Sequence, residues 1–216
     1  MEDAISNNGW ERARAASEER DMLLHFRRRR HRPWRSCRTH RFYAKGRFAG
    51  QKAHAQHPEL VLVGLNEALC GKFEEHFVTA AYLYADLDAK IIRYAGAGHP
   101  PLLLSNRSND EVRSVERNGF FLGMFPEAVY SSIEISLQQG DRCVLYTDGL
   151  PESTNAEGEE FGLPRCKQFL GSHSRLPSAE LADLLLSEIA CWSARSSGRP
   201  QEDDMTLLII DWQGQS

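Results

Sequence analysis

Short turns join apolar, β-prone segments in the middle of this chain, and this succession constrains the fold most. Phe77 to Leu87 is rich in aromatic and aliphatic residues, Asp88-Ala89-Lys90 forms a turn, and Ile91 to Ala95 returns. Gly96 to Pro101 is a second turn, before the short strand Leu102 to Leu104. Such short turns join antiparallel neighbours, because a parallel connection needs a crossover of about a dozen residues. The sequence therefore predicts antiparallel sheet.

Further strands and two helices complete the predicted architecture. Alternating apolar residues from Ile133 to Leu137 indicate a half-buried strand, and a turn at Gln139-Gly140-Asp141 leads into a buried strand, Arg142 to Thr147. Met205 to Ile210 is the final buried strand. Pro58 and Glu59 favour a helix start, and Ser178 is a good N-cap for a second helix with an apolar stripe. The expected fold class is α+β, with antiparallel sheets flanked by helices.

The first quarter of the chain has a different composition from the rest. Arg27 to Lys52 contains eleven Lys or Arg residues and no Asp or Glu, whereas the other 190 residues hold 15 basic and 30 acidic side chains. This stretch shows neither helical nor strand periodicity. We expect residues 1–56 to be an irregular, basic and poorly ordered segment, and residues 57–216 to form the folded domain.

Composition excludes several protein classes. The longest apolar runs, such as Leu60 to Val63, are far shorter than the roughly 20 residues that a membrane span needs, and no charged-then-apolar leader opens the sequence. Five dispersed cysteines are typical of reduced thiols, not of a disulfide framework. The net charge of −4 gives no general attraction to nucleic acid or membrane. We therefore expect a cytoplasmic protein without a membrane association.

Two carboxylate positions stand at the ends of buried strands. Asp148 follows the strand Arg142 to Thr147 and precedes Gly149, while Asp203 and Asp204 immediately precede the last strand. A carboxylate at the end of a rigid strand can be held in one orientation. The adjacent glycine allows backbone, water or an ion to approach closely. Oxygen ligands of this kind suit Mg²⁺ or Mn²⁺. The same patterns also occur in ordinary turns and solvated loops, so both interpretations remain open on spacing alone.

Four ordered motifs resemble one known family. They are His76-Phe77-Val78-Thr79-Ala80, Tyr94-Ala95-Gly96-Ala97-Gly98-His99-Pro100-Pro101, Leu145-Tyr146-Thr147-Asp148-Gly149-Leu150-Pro151-Glu152 and Asp203-Asp204-Met205-Thr206-Leu207. Together they resemble the stage II sporulation protein E-like branch of the PPM (type 2C) bacterial serine/threonine phosphatases. The resemblance covers about 150 residues and implies two packed antiparallel sheets flanked by helices, incomplete here at the N-terminus.

The resemblance also implies an activity and a set of site residues. Asp148 and Asp203 would be metal ligands, with Gly149, Asp204 and His99 as accessory residues; a structural role is the alternative for His99. Family members use two Mn²⁺ or Mg²⁺ ions to activate a water that attacks phosphorus, without a phosphoenzyme intermediate. Their usual substrates are phosphoserine or phosphothreonine on small anti-sigma-factor antagonist proteins. The implied partner is thus a phosphorylated regulatory protein.

The sequence departs from this family in one respect. Members carry an earlier Asp-x-x-Gly-His-Gly-like motif whose Asp bridges both metals, and no acidic residue lies between Met22 and Pro58. Two functions therefore compete: a metal-dependent phosphatase, and a phosphatase-fold binding module without turnover. One hypothesis is a shifted reading frame over about residues 26–56, because their aperiodic, acid-free composition joins a well-patterned domain. Resequencing the gene tests it, and finding no such motif in any alternative frame would dispose of it.

The basic segment itself suggests two weaker alternatives. Arg27 to Lys52 could contact phosphates in a salt-sensitive way, with Trp34, Phe42 and Tyr43 stacking on bases, but no nucleic-acid-binding motif is present. A zinc site formed by four of its residues is disfavoured, because their spacings match no standard finger. These four are His25, His31, Cys37 and His40. Nucleic acid is therefore not expected as a partner.

Overall fold

The computed structural model describes residues 22–25, 54–72, 78–116, 118–194 and 205–213. These residues belong to two compact units. One contains Leu102–Val115 and the described residues from Gln138 onward, and the other contains the described residues up to Pro101 together with Glu116–Leu137. In chain order the elements are β1 (Met22–His25), α1 (Pro58–Leu69), β2 (Thr79–Asp86), β3 (Ile91–Ala97), β4 (Leu102–Asn106), β5 (Val112–Val115), β6 (Asn118–Gly119), β7 (Ile133–Ser136), β8 (Asp141–Tyr146), α2 (Gly162–Ser172), α3 (Ser178–Ala194) and β9 (Leu207–Asp211).

The unit that contains the first predicted hairpin is built around β2 and β3. β1 and β3 flank β2 in antiparallel pairing, and β7 continues the sheet antiparallel to β3 from Ile91 to Tyr94. The short β6 lies parallel to the other end of β3, pairing Gly96 with Asn118. The predicted return strand after Lys90 is therefore confirmed, two residues longer than expected.

Helix α1 packs on this sheet. Pro58 stands at its start, where a missing amide hydrogen costs nothing, and Glu59 lies in its first turn. The apolar face of α1 is fully buried against alternate residues of β2 and β3. This face consists of Val61, Leu62, Leu65 and Leu69. The helix predicted to start at Pro58 is confirmed, and burial of its apolar face explains why it forms.

The second unit contains a four-stranded antiparallel sheet in the order β5-β4-β8-β9. β4 pairs with β5 and β8 and not with β3, and β7 pairs with β3 and not with β8. The turns predicted at Gly96 to Pro101 and at Gln139 to Asp141 therefore do not join neighbouring strands of one sheet. Helices α2 and α3 share a core with this sheet, in which Leu103, Val144 and Tyr146 join Cys166, Leu170, Leu181, Leu185 and Ile189. The expected α+β class, with antiparallel sheets and flanking helices, is thus confirmed in both units. None of the described helices has the length and apolarity that crossing a bilayer requires.

A buried ion pair joins three parts of the second unit. Arg142 of β8 is wholly buried, and its Nε and Nη2 donate to the carboxylate of Asp211 in β9 at 2.6 and 3.0 Å. Its guanidinium also donates to the main-chain oxygens of Ser174 and Leu176, which lie between α2 and α3. One side chain therefore fixes the strand pair and the interhelical connection together.

Close approach of two backbones makes Gly171 sensitive to substitution. A Cβ added at this residue of α2 would overlap the main-chain oxygen of Asp110. We expect Gly171→Ala to lower the free energy of unfolding by about 1–3 kcal/mol through overpacking, although alanine is the better helix former. Chemical denaturation tests this, with the exposed neighbour Ser172→Ala as control. Unchanged stability of Gly171→Ala would show that the two backbones do not meet as closely as described.

Candidate functional site

Asp148 lies directly beyond the end of a buried strand. The regular pairing of β8 and β9 ends at Tyr146 and Leu207. Thr147 continues it by one residue, since its amide donates to the oxygen of Thr206 at 3.0 Å and its Oγ1 accepts from the Thr206 amide at 2.9 Å. The sheet therefore holds the chain up to the residue before Asp148.

The residues after Asp148 form a hydrogen-bonded turn. The Leu150 amide donates to the oxygen of Thr147 at 3.1 Å, and the Glu152 amide donates to that of Asp148 at 2.9 Å. Ser153 Oγ donates to the oxygen of Gly149 at 2.7 Å and contacts the Met205 sulfur at 3.9 Å. Asp148 is half-buried and Gly149 is buried. The main chain around the carboxylate is thus held on both sides.

The chemistry of Asp148 fits one ligand of a divalent cation. A half-buried carboxylate is a hard oxygen donor of the type that Mg²⁺ and Mn²⁺ prefer. Among the described residues, no three His, Cys, Asp or Glu side chains form a group that could hold a metal. Asp203 and Asp204, the other predicted ligand and its neighbour, lie outside the described residues. Of the two predicted ligands, the described residues therefore include only Asp148.

His99 belongs to the unit of the first hairpin and is buried, with 1% of its surface exposed. Its Nδ1 lies 2.9 Å from the oxygen of Pro100. Because a carbonyl only accepts, Nδ1 carries the proton and Nε2 presents a lone pair. Burial lowers the pKa of His99 to about 4, against a smaller opposing effect of the Pro100 hydrogen bond. His99 is therefore neutral at physiological pH.

Sequence reasoning singled out Asp148 but not the residues that hold it. Thr147 and Thr206 are predicted only as strand residues, and no role is predicted for Ser153. Thr147 and Thr206 are 59 positions apart, so no local pattern could connect them. A hydroxyl residue at the last position of a buried strand is the one signal available in advance, because such hydroxyls commonly bond to main-chain groups.

The alternatives based on the basic segment fall outside the described side chains. Of the predicted zinc ligands, His25 lies in β1, where only the backbone is described. The other three, like the stacking residues Trp34, Phe42 and Tyr43, lie outside the described residues. These interpretations stay predictions.

Comparison with known proteins identifies relatives of most of the chain. The family model for stage II sporulation protein E (SpoIIE) matches residues 43–213. The chain is 29% identical over 136 residues to the phosphoserine phosphatase RsbP of Bacillus subtilis (strain 168), covering 63% of this chain and 31% of RsbP. It is 29% identical over 155 residues to the phosphoserine phosphatase RsbU of the same organism, covering 71% of this chain and 45% of RsbU. The chain therefore spans less than half the length of these curated relatives.

The chain is also similar in fold to solved structures. The SiaA-PP2C domain of Pseudomonas aeruginosa superimposes with a TM-score of 0.70 at 23% identity, covering 79% of this chain and 68% of that domain. This similarity shows that the chain has a PP2C-type phosphatase fold, as its motifs predicted.

Proposed function

Because the chain belongs to the stage II sporulation protein E family, we propose that it is a divalent-cation-dependent serine/threonine phosphatase. Its substrate would be phosphoserine or phosphothreonine on a regulatory protein of the anti-sigma-factor antagonist type, and its site of action the cytoplasm. The relatives RsbP and RsbU are phosphoserine phosphatases, which supports the reaction class.

The position of Asp148 is the observation that carries this proposal. Its carboxylate follows a strand that is paired with β9, and the Asp203–Asp204 pair directly precedes Met205, which contacts Ser153 of the Asp148 turn. We propose that Asp148 and Asp203 together hold Mn²⁺ or Mg²⁺, with Gly149 leaving room for the cation.

In such a site the cation and the protein would make different contributions to the reaction. A bound divalent cation would lower the pKa of a coordinated water and offset negative charge on the phosphoryl oxygens. The protein contributes the orientation of Asp148, which the hydrogen bonds of Thr147 and Ser153 restrict. Because these bonds already fix the main chain, little ordering of the Asp148 backbone is needed when a cation binds.

Hydrolysis of a generic phosphate monoester tests the proposal. We expect Mn²⁺-dependent turnover of p-nitrophenyl phosphate by the wild type and a loss of at least about 100-fold in Asp148→Asn, because a ligand is neutralised without a change of shape. Asp88→Asn, at an exposed turn residue of the other unit, is the matched control and should retain wild-type activity. Equal activity of wild type and Asp148→Asn would contradict the assignment of Asp148.

A second candidate is a binding module that uses the phosphatase fold without turnover. The missing Asp-x-x-Gly motif favours it, and so do four exposed apolar residues of the segment 120–129, which are Phe120, Met124, Phe125 and Val129. The rings of Phe120 and Phe125 contact each other edge to face, with centroids 5.3 Å apart. Buried Asn66 orders this segment, since its Nδ2 donates to the oxygen of Phe125 at 2.8 Å and its Oδ1 accepts from the Gly123 amide at 2.9 Å. Ordered exposed apolar clusters are typical of interaction surfaces.

The two candidates make opposite predictions for the wild type. The binding module would retain a phosphorylated antagonist protein without releasing phosphate in Mn²⁺, whereas the phosphatase would release it. Quantifying phosphate during a calorimetric titration with the phosphoprotein separates these outcomes.

A further inference from the structure

The backbone oxygen and the side-chain oxygen of Thr147 serve different partners. In a regular antiparallel pair, the Thr147 oxygen would accept from the amide of Thr206. Here it accepts from Leu150 instead and closes the turn that carries Asp148. The Thr147 Oγ1 takes over the bond from Thr206. The hydroxyl therefore allows the sheet and the turn to meet at one residue.

Because the Thr147 side chain is buried, the Thr206 amide depends on the Thr147 hydroxyl as its acceptor. Thr147 has no exposed surface, so water does not reach its side chain to replace the hydroxyl. Without the hydroxyl, the Thr206 amide would either lose its acceptor or compete with Leu150 for the oxygen of Thr147. The first outcome leaves a polar group unsatisfied, and the second opens the turn at Asp148.

From this geometry we infer that Thr147 is a positioning residue, whose hydroxyl fixes the Asp148 carboxylate for binding a divalent cation. The inference rests on the proposed function, because it takes Asp148 as a ligand. Groups that orient a metal ligand typically influence affinity by about 10- to 100-fold. Thr147 acts through the main chain, so we expect an effect near the lower end of this range.

Two substitutions separate the hydroxyl from the shape of the side chain. Thr147→Val keeps the β-branched shape and removes the acceptor, while Thr147→Ser keeps the acceptor and removes a methyl group. The Mn²⁺ affinity of the full chain is measured by titration, with the electron paramagnetic resonance signal of free Mn²⁺ as the readout. The affinity of Thr147→Val should be about tenfold weaker than that of the wild type. The affinity of Thr147→Ser should stay close to that of the wild type. Hydrogen exchange of the Thr206 amide should accelerate only in Thr147→Val.

A destabilised control distinguishes positioning from general loss of stability. Val144→Ala removes buried apolar volume from the same strand without touching the turn, so it should lower the melting temperature while preserving Mn²⁺ affinity. Equal Mn²⁺ affinity of wild type and Thr147→Val would overturn the inference alone. Absence of Mn²⁺ binding to the wild type would overturn the proposed function and this inference together.

Discussion

Replacing Arg142 with alanine should destabilise the protein by about 3–5 kcal/mol, the usual cost of removing one partner of a buried ion pair. The side chain is wholly buried, and its partner Asp211 has only 9% of its side chain exposed. Loss of the guanidinium leaves that carboxylate without its bidentate donor. It also removes the donors to the oxygens of Ser174 and Leu176. Urea denaturation followed by tryptophan fluorescence measures the change.

A double substitution identifies the cause of this loss. Arg142→Met combined with Asp211→Leu removes both charges and retains apolar volume, so it should be markedly more stable than Arg142→Ala, because no buried carboxylate is left unpaired. As a surface control, Arg93→Ala breaks the pair with Glu134, whose side chain is 55% exposed, and should cost at most about 1 kcal/mol. A comparable loss in Arg93→Ala and Arg142→Ala would contradict the importance of burial.

The second large effect is a loss of stability in acid that originates at His99. Burial lowers the pKa of this histidine to about 4 from a reference of 6.5. Between these values the unfolded chain binds a proton that the folded chain does not, so stability falls as the pH drops from about 6.5 to about 4. At 1.36 kcal/mol per pH unit, the contribution of His99 to this fall is about 3 kcal/mol.

His99→Asn isolates this contribution from that of other titrating groups. The asparagine Nδ2 can replace Nδ1 as donor to Pro100 but does not titrate. The decrease in the free energy of unfolding between pH 7 and pH 4 should therefore be about 3 kcal/mol smaller in the variant than in the wild type. Parallel pH profiles for the two proteins would show that His99 does not stay neutral in the folded state.

Several features of the fold were predictable because they depend on local patterns. The β2–β3 hairpin follows from two β-prone runs with a short turn, and α1 follows from the helix-start signals of Pro58 and Glu59. Asp148 could be singled out because a buried strand ends there in Asp-Gly. The family motifs then predicted the phosphatase fold, which the comparisons confirm.

Other elements were missed for identifiable physical reasons. Helix α2 begins Gly-Leu-Pro with a positive φ of 79° at Gly162 and no side-chain cap, which hides the usual start signals. β5 is only four residues long and half polar, and packing within its sheet determines it. Arg142 was placed in a strand buried on both faces, yet its partner Asp211 is 69 positions away. Contacts over such separations are not encoded in any local period.

Coordination of a divalent cation by Asp148 is the claim on which the functional account depends. Crystals soaked in Mn²⁺ and measured at the manganese absorption edge test it directly. We expect an anomalous peak about 2.1 Å from an Asp148 carboxylate oxygen, with the Asp203 carboxylate on the same ion. Carboxylates of Asp148 and Asp203 that face different regions, or manganese bound only elsewhere, would contradict it.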